Sequence, residues 1–206
     1  MIQYSCFMET QNQLPKTKRG QQRRRDLLAA AEHVFCEKGF ISASIADITR
    51  QAGTAQGTFY IYFESKEQLF REVMLELGRQ IRFNAREATK GAKNRIDAEV
   101  RGLEAYLRFV TERPSIYRIV QQCSVVDPET WRDFYSAFAD AFEANLRDAE
   151  KRGEVSPGDA EVRAWVMIAL ATTLGEQVSV GGKAGEIDRM MREVEAILRH
   201  GISPVS

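Results

Sequence analysis

Residues 44–70, SIADITRQAGTAQGTFYIYFESKEQLF, predict two short helices joined by a tight turn. Ser44 begins an apolar-periodic segment and is followed three residues later by Asp47, a spacing at which the two side chains cap a helix N-terminus. Gly53 accepts the left-handed backbone that ends a helix, and Thr54 offers an oxygen to cap the next one. Two short helices closed by such a turn are typical of a helix-turn-helix.

The second of these helices, at about residues 55–62, carries side chains that suit DNA. Gln56, Thr58, Tyr60 and Tyr62 present amide and hydroxyl groups of moderate reach. Such groups bind phosphates and the edges of bases. The segment therefore predicts contact with nucleic acid, the alternative being a helical hairpin inside some other all-α protein.

Residues 52–70, AGTAQGTFYIYFESKEQLF, resemble the recognition helix and the following helix start of TetR-type transcriptional regulators. The matching positions are Ala52-Gly53, Gly57-Thr58, the Tyr60-x-Tyr62-Phe63 run, Ser65-Lys66-Glu67 and Leu69-Phe70. The resemblance is close over about residues 26–70 and architectural beyond them. It implies an all-α homodimer with an N-terminal three-helix DNA-binding domain and a C-terminal bundle that binds an effector and dimerises through its last two long helices.

The resemblance also implies which residues touch DNA. They are Ser44, Ala55, Gln56, Thr58, Tyr60, Ile61, Tyr62 and Lys66. We expect Tyr60, Thr58 and Lys66 to hold phosphates. Gln56, with Ala55 and Ile61, is expected to face base edges. Many relatives carry serine and lysine where this chain has Ala55 and Gln56, which leaves the operator sequence open because glutamine reads adenine whereas alanine meets only a thymine methyl.

Basic residues precede this motif. Six Lys and Arg residues lie between 16 and 25 with no acid among them, and such a segment displaces counterions from DNA. We therefore predict a flexible basic arm over residues 1–20, a helix-turn-helix domain over 21–66 that uses Arg23 and Arg24 on DNA, and a helical domain over 67–206. A solvated tail is the alternative for the arm, Met8 is an alternative start, and the scaffold helix is predicted to begin at Asp26.

Composition predicts a soluble cytoplasmic protein. Residues 1–90 hold 14 Lys and Arg against 10 Asp and Glu, whereas residues 91–206 hold 15 against 19, so the half with the DNA motif is the basic one. Cys6, Cys36 and Cys123 lie far apart without a CxxC pair, which supports neither a zinc site nor disulfides. The longest apolar run, residues 165–174, is about half a membrane span.

Residues 67–206 predict a helical bundle that encloses a small-molecule cavity. A long helix over about 66–88 would join the bundle to the DNA-binding domain and transmit movement between them. Polar tips on an otherwise apolar lining indicate a ligand site, which we predict to include Tyr106, Tyr117, Gln121, Trp131, Tyr135, Phe138, Trp165 and Thr172. Ordinary core is the alternative for the aromatic stripe. Helices around 162–177 and 186–199 are predicted to form the dimer, with Met191 and Val194 at its surface.

The sequence thus predicts a repressor that a small apolar or acyl-type effector releases from its operator. Residues 116–131, IYRIVQQCSVVDPETW, weakly resemble the ligand domain of regulators that answer to acyl-coenzyme A thioesters of fatty or aromatic acids. No cofactor, metal or catalytic residue is expected, because the two histidines lie far from any nucleophile and no glycine-rich phosphate loop is present. The alternative is a DNA-binding protein whose C-terminal domain meets a partner protein, and a solidly filled bundle would favour it.

Overall fold

The computed structural model describes Pro15 and residues 17–200, and the chain divides into two compact units, residues 1–73 and 74–206. The described helices are α1 (Lys18–Ser42), α2 (Ile45–Gln51), α3 (Gln56–Phe59), α4 (Lys66–Ala88), α5 (Arg95–Glu112), α6 (Ser115–Val126), α7 (Pro128–Lys151), α8 (Ala160–Ser179) and α9 (Ile187–His200). No strand occurs in this described part, which confirms the all-α fold class. The division falls within α4, after the predicted domain boundary at residues 66 and 67.

The first unit confirms the predicted capping of α2. The Ser44 hydroxyl accepts from the Asp47 backbone N–H at 3.1 Å, and the Asp47 carboxylate accepts from the Ser44 backbone N–H at 3.2 Å. Hydrogen bonds from Lys38 and then Ser44 hold the pKa of Asp47 well below its usual range. At the other end Gly53 adopts a φ of 62°, the left-handed conformation that the turn requires.

Helix α1 begins at Lys18, so the prediction of a helix start at Asp26 is wrong, as is that of a flexible arm over residues 18–20. Thr17 caps the helix by accepting from the Gly20 N–H at 3.1 Å. Gly20 is buried, and a Cβ there would lie 2.7 Å from the Pro15 Cβ, so only glycine fits this approach. Lysine and arginine are good helix formers, and the Thr17 cap helps to offset the unfavourable effect of their positive charge at a helix N-terminus. The other residues of the predicted arm, except Pro15 and Thr17, lie outside the described residues.

Arg24, predicted to contact DNA, is engaged inside the first unit. Its guanidinium pairs with the Glu72 carboxylate, and the two side chains are only 18% and 12% exposed. The Arg24 Cζ also lies 5.2 Å from the centroid of the Phe63 ring. Burial raises the pKa of Glu72 above its usual value, and the charge of Arg24 opposes this shift. The pair joins α1 to α4, which gives Arg24 a structural role that the sequence prediction missed.

We expect Arg24→Ala to lower the free energy of unfolding by about 3 kcal/mol, because removing one partner of a buried ion pair leaves the other charge uncompensated. Without the guanidinium, the pKa of Glu72 rises further. The folded state then binds the Glu72 proton more tightly than the unfolded state does. The variant should therefore be most stable below the unfolded pKa of about 4.3 and lose stability as the pH rises through the folded pKa.

Urea unfolding of wild type and variant between about pH 4 and 8 tests this expectation. The exposed Arg25 provides a matched control, and Arg25→Ala should change stability by less than about 0.5 kcal/mol. The double change Arg24→Met with Glu72→Leu should recover most of the loss, since it removes both charges. An equal loss at every pH would contradict the assigned role of Glu72.

The second unit is a helical bundle. α8 packs against α5 and α7, while α9 packs against α5. Asp127 caps α7 by accepting a hydrogen bond from the Thr130 N–H at 3.0 Å. Pro128 follows at the first helical position, where a backbone N–H would have no partner within the helix, so proline is well tolerated there. Leu107, Ile119 and Ala164 are fully buried. In the part of the chain described, no helix has both the length and the apolar content needed to cross a membrane.

Candidate functional site

The first unit exposes five of the ten residues predicted to contact DNA, and the other five are half-buried. α3 is one turn long, shorter than the predicted helix over 55–62, and its buried Phe59 anchors it to the core. Around that anchor, Gln56 is exposed, Tyr60 is 58% exposed and Ile61 is 69% exposed. Ala55, directly before the helix, is exposed as well. Polar and apolar side chains on so short a helix are accessible to base edges and phosphates.

A polar groove of about 310 Å³ lies beside this surface within the same unit. It is lined by Thr17, Arg19, Gly20, Arg23, Thr54, Thr58 and Tyr62. Arg23, Thr58 and Tyr62 were predicted as DNA contacts and Arg19 as part of the basic arm, whereas Thr17, Gly20 and Thr54 were missed. Thr17, near the start of the basic run, was the available signal, because a helix capped there brings Arg19 and Arg23 onto one face. Two guanidinium groups and four hydroxyls in one groove are suited to a phosphate.

Lys66 and Ser44, which were also predicted to contact DNA, use their polar side-chain atoms in hydrogen bonds within the first unit. The Lys66 ammonium donates to the carbonyl oxygens of Phe40 and Ala43, both at 2.8 Å, and lies 4.4 Å from the Phe40 ring centroid. This arrangement satisfies carbonyls at the end of α1 and leaves one ammonium proton for another acceptor. Ser44 is exposed, and its hydroxyl donates to the Asp47 carboxylate at 2.7 Å.

The second unit contains a cavity of about 480 Å³ between α4, α5, α6, α7 and α8. Five of the eight predicted ligand residues line it, namely Tyr106, Tyr117, Tyr135, Phe138 and Thr172. Much of the remaining wall is apolar and includes Leu103, Val120 and Phe134. The volume lies within the range of small-molecule sites.

The prediction that Gln121, Trp131 and Trp165 line the cavity is wrong. Gln121 is exposed on α6, and Trp131 is 37% exposed, with its ring centroid 4.9 Å from that of Tyr135. Trp165 is 44% exposed and shares one face of α8 with Val162 and Val166, which are 57% and 52% exposed. α8 is apolar on every side, so its sequence does not reveal which face turns inward.

Two cavity phenols form a closed hydrogen-bond chain. The Tyr117 hydroxyl must donate to the Thr172 carbonyl oxygen, 3.1 Å away, because a carbonyl only accepts. Tyr106 therefore donates to the Tyr117 oxygen at 2.7 Å. Burial raises the pKa of Tyr106 to about 12 and that of Tyr117 still further, so both phenols stay protonated near neutral pH. Neither phenol keeps a proton to donate to a ligand.

Gly175 of α8 makes room for this chain. A Cβ at this position would overlap the Tyr117 hydroxyl and lie 2.9 Å from Tyr117 Cζ and 3.0 Å from Tyr106 Cε1. A glycine inside a helix is otherwise unfavourable by up to about 1 kcal/mol relative to alanine. The close approach of Tyr117 explains its presence here.

Gly175→Ala is therefore expected to destabilise the protein by about 2 kcal/mol, as overpacking in a filled region does. Gly102→Ala is the matched control, since a Cβ there meets only Thr89 Cγ2 at 3.6 Å, and this change should leave stability equal or higher. Thermal unfolding measures both. Tyr117→Phe should restore part of the loss in the Gly175→Ala background, and equal stability of the two alanine variants would contradict the assigned packing.

Charged residues also line the cavity, and none of them was predicted from the sequence. Arg82 and Arg86 lie one turn apart on α4, and Arg95 and Glu99 lie one turn apart on α5. Arg95 pairs with Glu99 at 2.7 Å, and the Glu99 side chain is only 5% exposed. Burial raises the pKa of Glu99, and the charge of Arg95 opposes this shift. The i, i+4 spacing of Arg82 and Arg86 beside apolar Ile81 and Ala85 was the available signal.

The described residues contain no group of three or more His, Cys, Asp and Glu arranged to hold a metal ion. Cys36 and Cys123 form no disulfide with a described residue, and Cys6 lies outside the described residues. The features on which a function can be built are thus the exposed helix-turn-helix surface with its groove and the cavity of the second unit.

Comparison with known proteins matches the first unit to a family model and most of the chain to solved structures of the same fold. Residues 27–73 match the family model described as bacterial regulatory proteins, tetR family. The HTH-type transcriptional regulator YhgD of Bacillus subtilis is 25% identical over 156 residues, which are 74% of this chain and 82% of that protein. FadR from Bacillus subtilis, solved in complex with stearoyl-CoA, superposes with a TM-score of 0.76 at 18% identity over 87% of this chain and 99% of that one. AibR, solved with isovaleryl coenzyme A and operator DNA, gives 0.65 at 15% identity, with 85% and 97% covered.

Proposed function

Because this chain is a transcriptional regulator of the TetR family, we propose that it is a repressor that a small apolar or acyl-type effector releases from its operator. The cavity in the second unit carries this proposal. A filled bundle would favour the alternative in which the C-terminal domain binds a partner protein. An apolar cavity with a few polar groups instead favours a small ligand.

The first unit supplies the chemistry for operator binding. In this proposal, Arg19, Arg23 and the groove hydroxyls hold a phosphate, and Gln56 reads a base edge beside it. Tyr60 and Ile61 are exposed next to Gln56 and extend the contact. Arg24 takes no part, since its guanidinium is bound to Glu72.

Two units of one chain can be coupled through α4, because this helix contributes to both. Leu69, Phe70 and Val73 are buried in the core of the first unit, whereas Ile81 and Arg82 line the cavity of the second. In this proposal an effector in the cavity displaces α4 and so changes the fit of the recognition surface to DNA. Linkage then requires that DNA weaken effector binding by the same factor, typically 5- to 150-fold.

The effector class is proposed from the cavity together with two structural relatives. FadR was solved with stearoyl-CoA and AibR with isovaleryl coenzyme A, and both are acyl thioesters. The apolar wall around Leu103 and Phe134 is suited to an acyl chain. We therefore propose an acyl-type molecule as the effector of this chain.

A homodimer is also part of the proposal, acting in the cytoplasm where the DNA lies. Val162, Trp165 and Val166 form an exposed apolar stripe on α8, and Ile197 on α9 is 44% exposed. Contiguous apolar surface of this kind is typical of a protein interface. A dimer would place two recognition surfaces on half-sites about 34 Å apart or a multiple of it.

Selection from a random DNA library by the purified full-length protein tests the proposal. We expect enrichment of a palindromic sequence, followed by release from it when an acyl-type effector is added. Operator affinity with and without a saturating effector gives the coupling directly. Binding to no DNA would contradict the regulatory role, and operator affinity unaffected by any bound effector would favour the partner-protein alternative.

A further inference from the structure

Arg82 is a half-buried cation in the cavity wall with no carboxylate beside it. Its Cζ lies 5.3 Å from the centroid of the Phe138 ring, and its charge is opposed by no acid among the residues that the structure describes. Burial, with a smaller contribution from Arg79, lowers the pKa of Arg82 from its ordinary value. A half-buried cation without a counterion lowers the stability of the folded protein, and an anionic ligand would remove this cost.

The other charged groups of the cavity add to this excess of positive charge. Arg86 is exposed one turn further along α4, and among the described residues it has no acidic partner either. Arg95 and Glu99 neutralise one another. The cavity wall therefore carries two positive charges beyond those that are paired, both on α4.

The phenol chain in the same cavity offers no free donor. Tyr106 and Tyr117 have both protons committed within the chain that ends at the Thr172 oxygen. A ligand carbonyl or carboxylate placed there would find no donor. Glu99 and Tyr106 are both on α5 and both line the cavity, seven residues apart, so the cavity extends over at least about 10 Å at 1.5 Å per residue.

We infer that the effector is an elongated amphiphile whose anionic group is bound by Arg82 and Arg86 and whose apolar body lies against the apolar wall around Leu103 and Phe134. This inference rests on the proposed function and defines the chemistry of the same cavity. The anionic group is a carboxylate in a free acid and a phosphate in a coenzyme A thioester. A guanidinium binds both through paired N–H donors.

Direct binding of matched probes to the purified, DNA-free protein tests the inference. Dodecanoic acid, dodecanoyl coenzyme A and the neutral dodecanol share one chain length and differ in the head group. Isothermal titration calorimetry should show at least one of the anionic probes binding about tenfold or more tightly than dodecanol, as expected for a charge-assisted hydrogen bond in a partly buried site. The tighter of the two anions identifies the source of the head group.

Arg82→Gln should remove most of that preference, because only Arg86 then remains to bind the anion, while the affinity for dodecanol should change much less. Arg79→Gln is the matched control on the same helix, because Arg79 is 71% exposed, pairs with Glu76 and does not line the cavity. Arg82→Lys keeps the positive charge and should keep part of the preference. Comparing it with Arg82→Gln shows whether the preference is lost with the charge or through altered packing of the cavity wall. Thermal unfolding establishes that each variant is folded.

The inference is overturned if wild-type protein binds dodecanol as tightly as both anions, if it binds none of the three probes, or if Arg79→Gln removes the preference as Arg82→Gln does. Operator binding is measured separately. A protein that prefers the anion but selects no DNA sequence would uphold this inference and refute the proposed function.

Discussion

Val166→Arg is expected to yield a monomer and to weaken operator binding by about 10²- to 10⁴-fold. Val166 is 52% exposed and shares one face of α8 with Val162 and Trp165, so the change places a charge within the apolar stripe. Desolvating an unpaired guanidinium in an interface costs several kcal/mol. A monomer presents one recognition surface, and losing the second half-site removes the gain from linked binding.

Sedimentation at micromolar concentration and operator titration measure the two effects. Val125→Arg is the matched control, because Val125 is 80% exposed on α6, outside the α8 stripe. It should leave both the mass and the operator affinity unchanged. Dimeric Val166→Arg protein with full operator affinity would exclude the α8 stripe from the interface.

The sequence-based choice of Met191 and Val194 for this interface is wrong, since they are only 6% and 4% exposed in a single chain. A charge at either position should unfold the second unit rather than dissociate a dimer. α9 carries one apolar face, and the bundle itself covers most of it.

Gln56→Ala is expected to remove discrimination at one base pair of each half-site, by roughly 1 to 3 kcal/mol per site. Gln56 is the exposed amide at the first position of α3, and glutamine forms its paired contact with adenine. Titrations on operators altered at one position at a time locate the affected base pair. Gln51→Ala, at the exposed end of α2, is the control and should keep the wild-type preference. An unchanged preference in Gln56→Ala would refute base reading by this residue.

Arg23→Ala gives the complementary result because a phosphate contact carries no sequence information. It should weaken all operators alike and lower the salt slope of binding by about one. Comparing the two variants over a salt series separates the base-reading residue from the phosphate-holding one. A preference altered by Arg23→Ala would place Arg23 on a base instead.

Interactions between near neighbours were predictable from the sequence. Ser44 and Asp47 cap α2 because residues three apart meet at every helix start, whatever surrounds them. Gly53 forms the turn after α2 for an equally local reason, since its φ of 62° strains any other residue. The motif, the all-α class and the helices of the second unit all follow from such short-range rules.

Only the tertiary structure decided which side chains face one another across long sequence separations. The sequence predicted Arg24 to contact DNA, but its charge is neutralised by Glu72, which lies 48 residues away in the chain. Trp165 was predicted to line the cavity because α8 is apolar on every side. Packing of α8 against α5 and α7 determines which face is buried, and Trp165 lies on the exposed face. Tyr117 reaches Thr172 across 55 residues because Gly175 leaves space for it. Side-chain burial depends on neighbouring helices, whereas caps and turns depend on the adjacent backbone. The sequence by itself therefore determined the helix-turn-helix. The tertiary structure decided the Arg24–Glu72 ion pair, the cavity wall and the exposed stripe on α8.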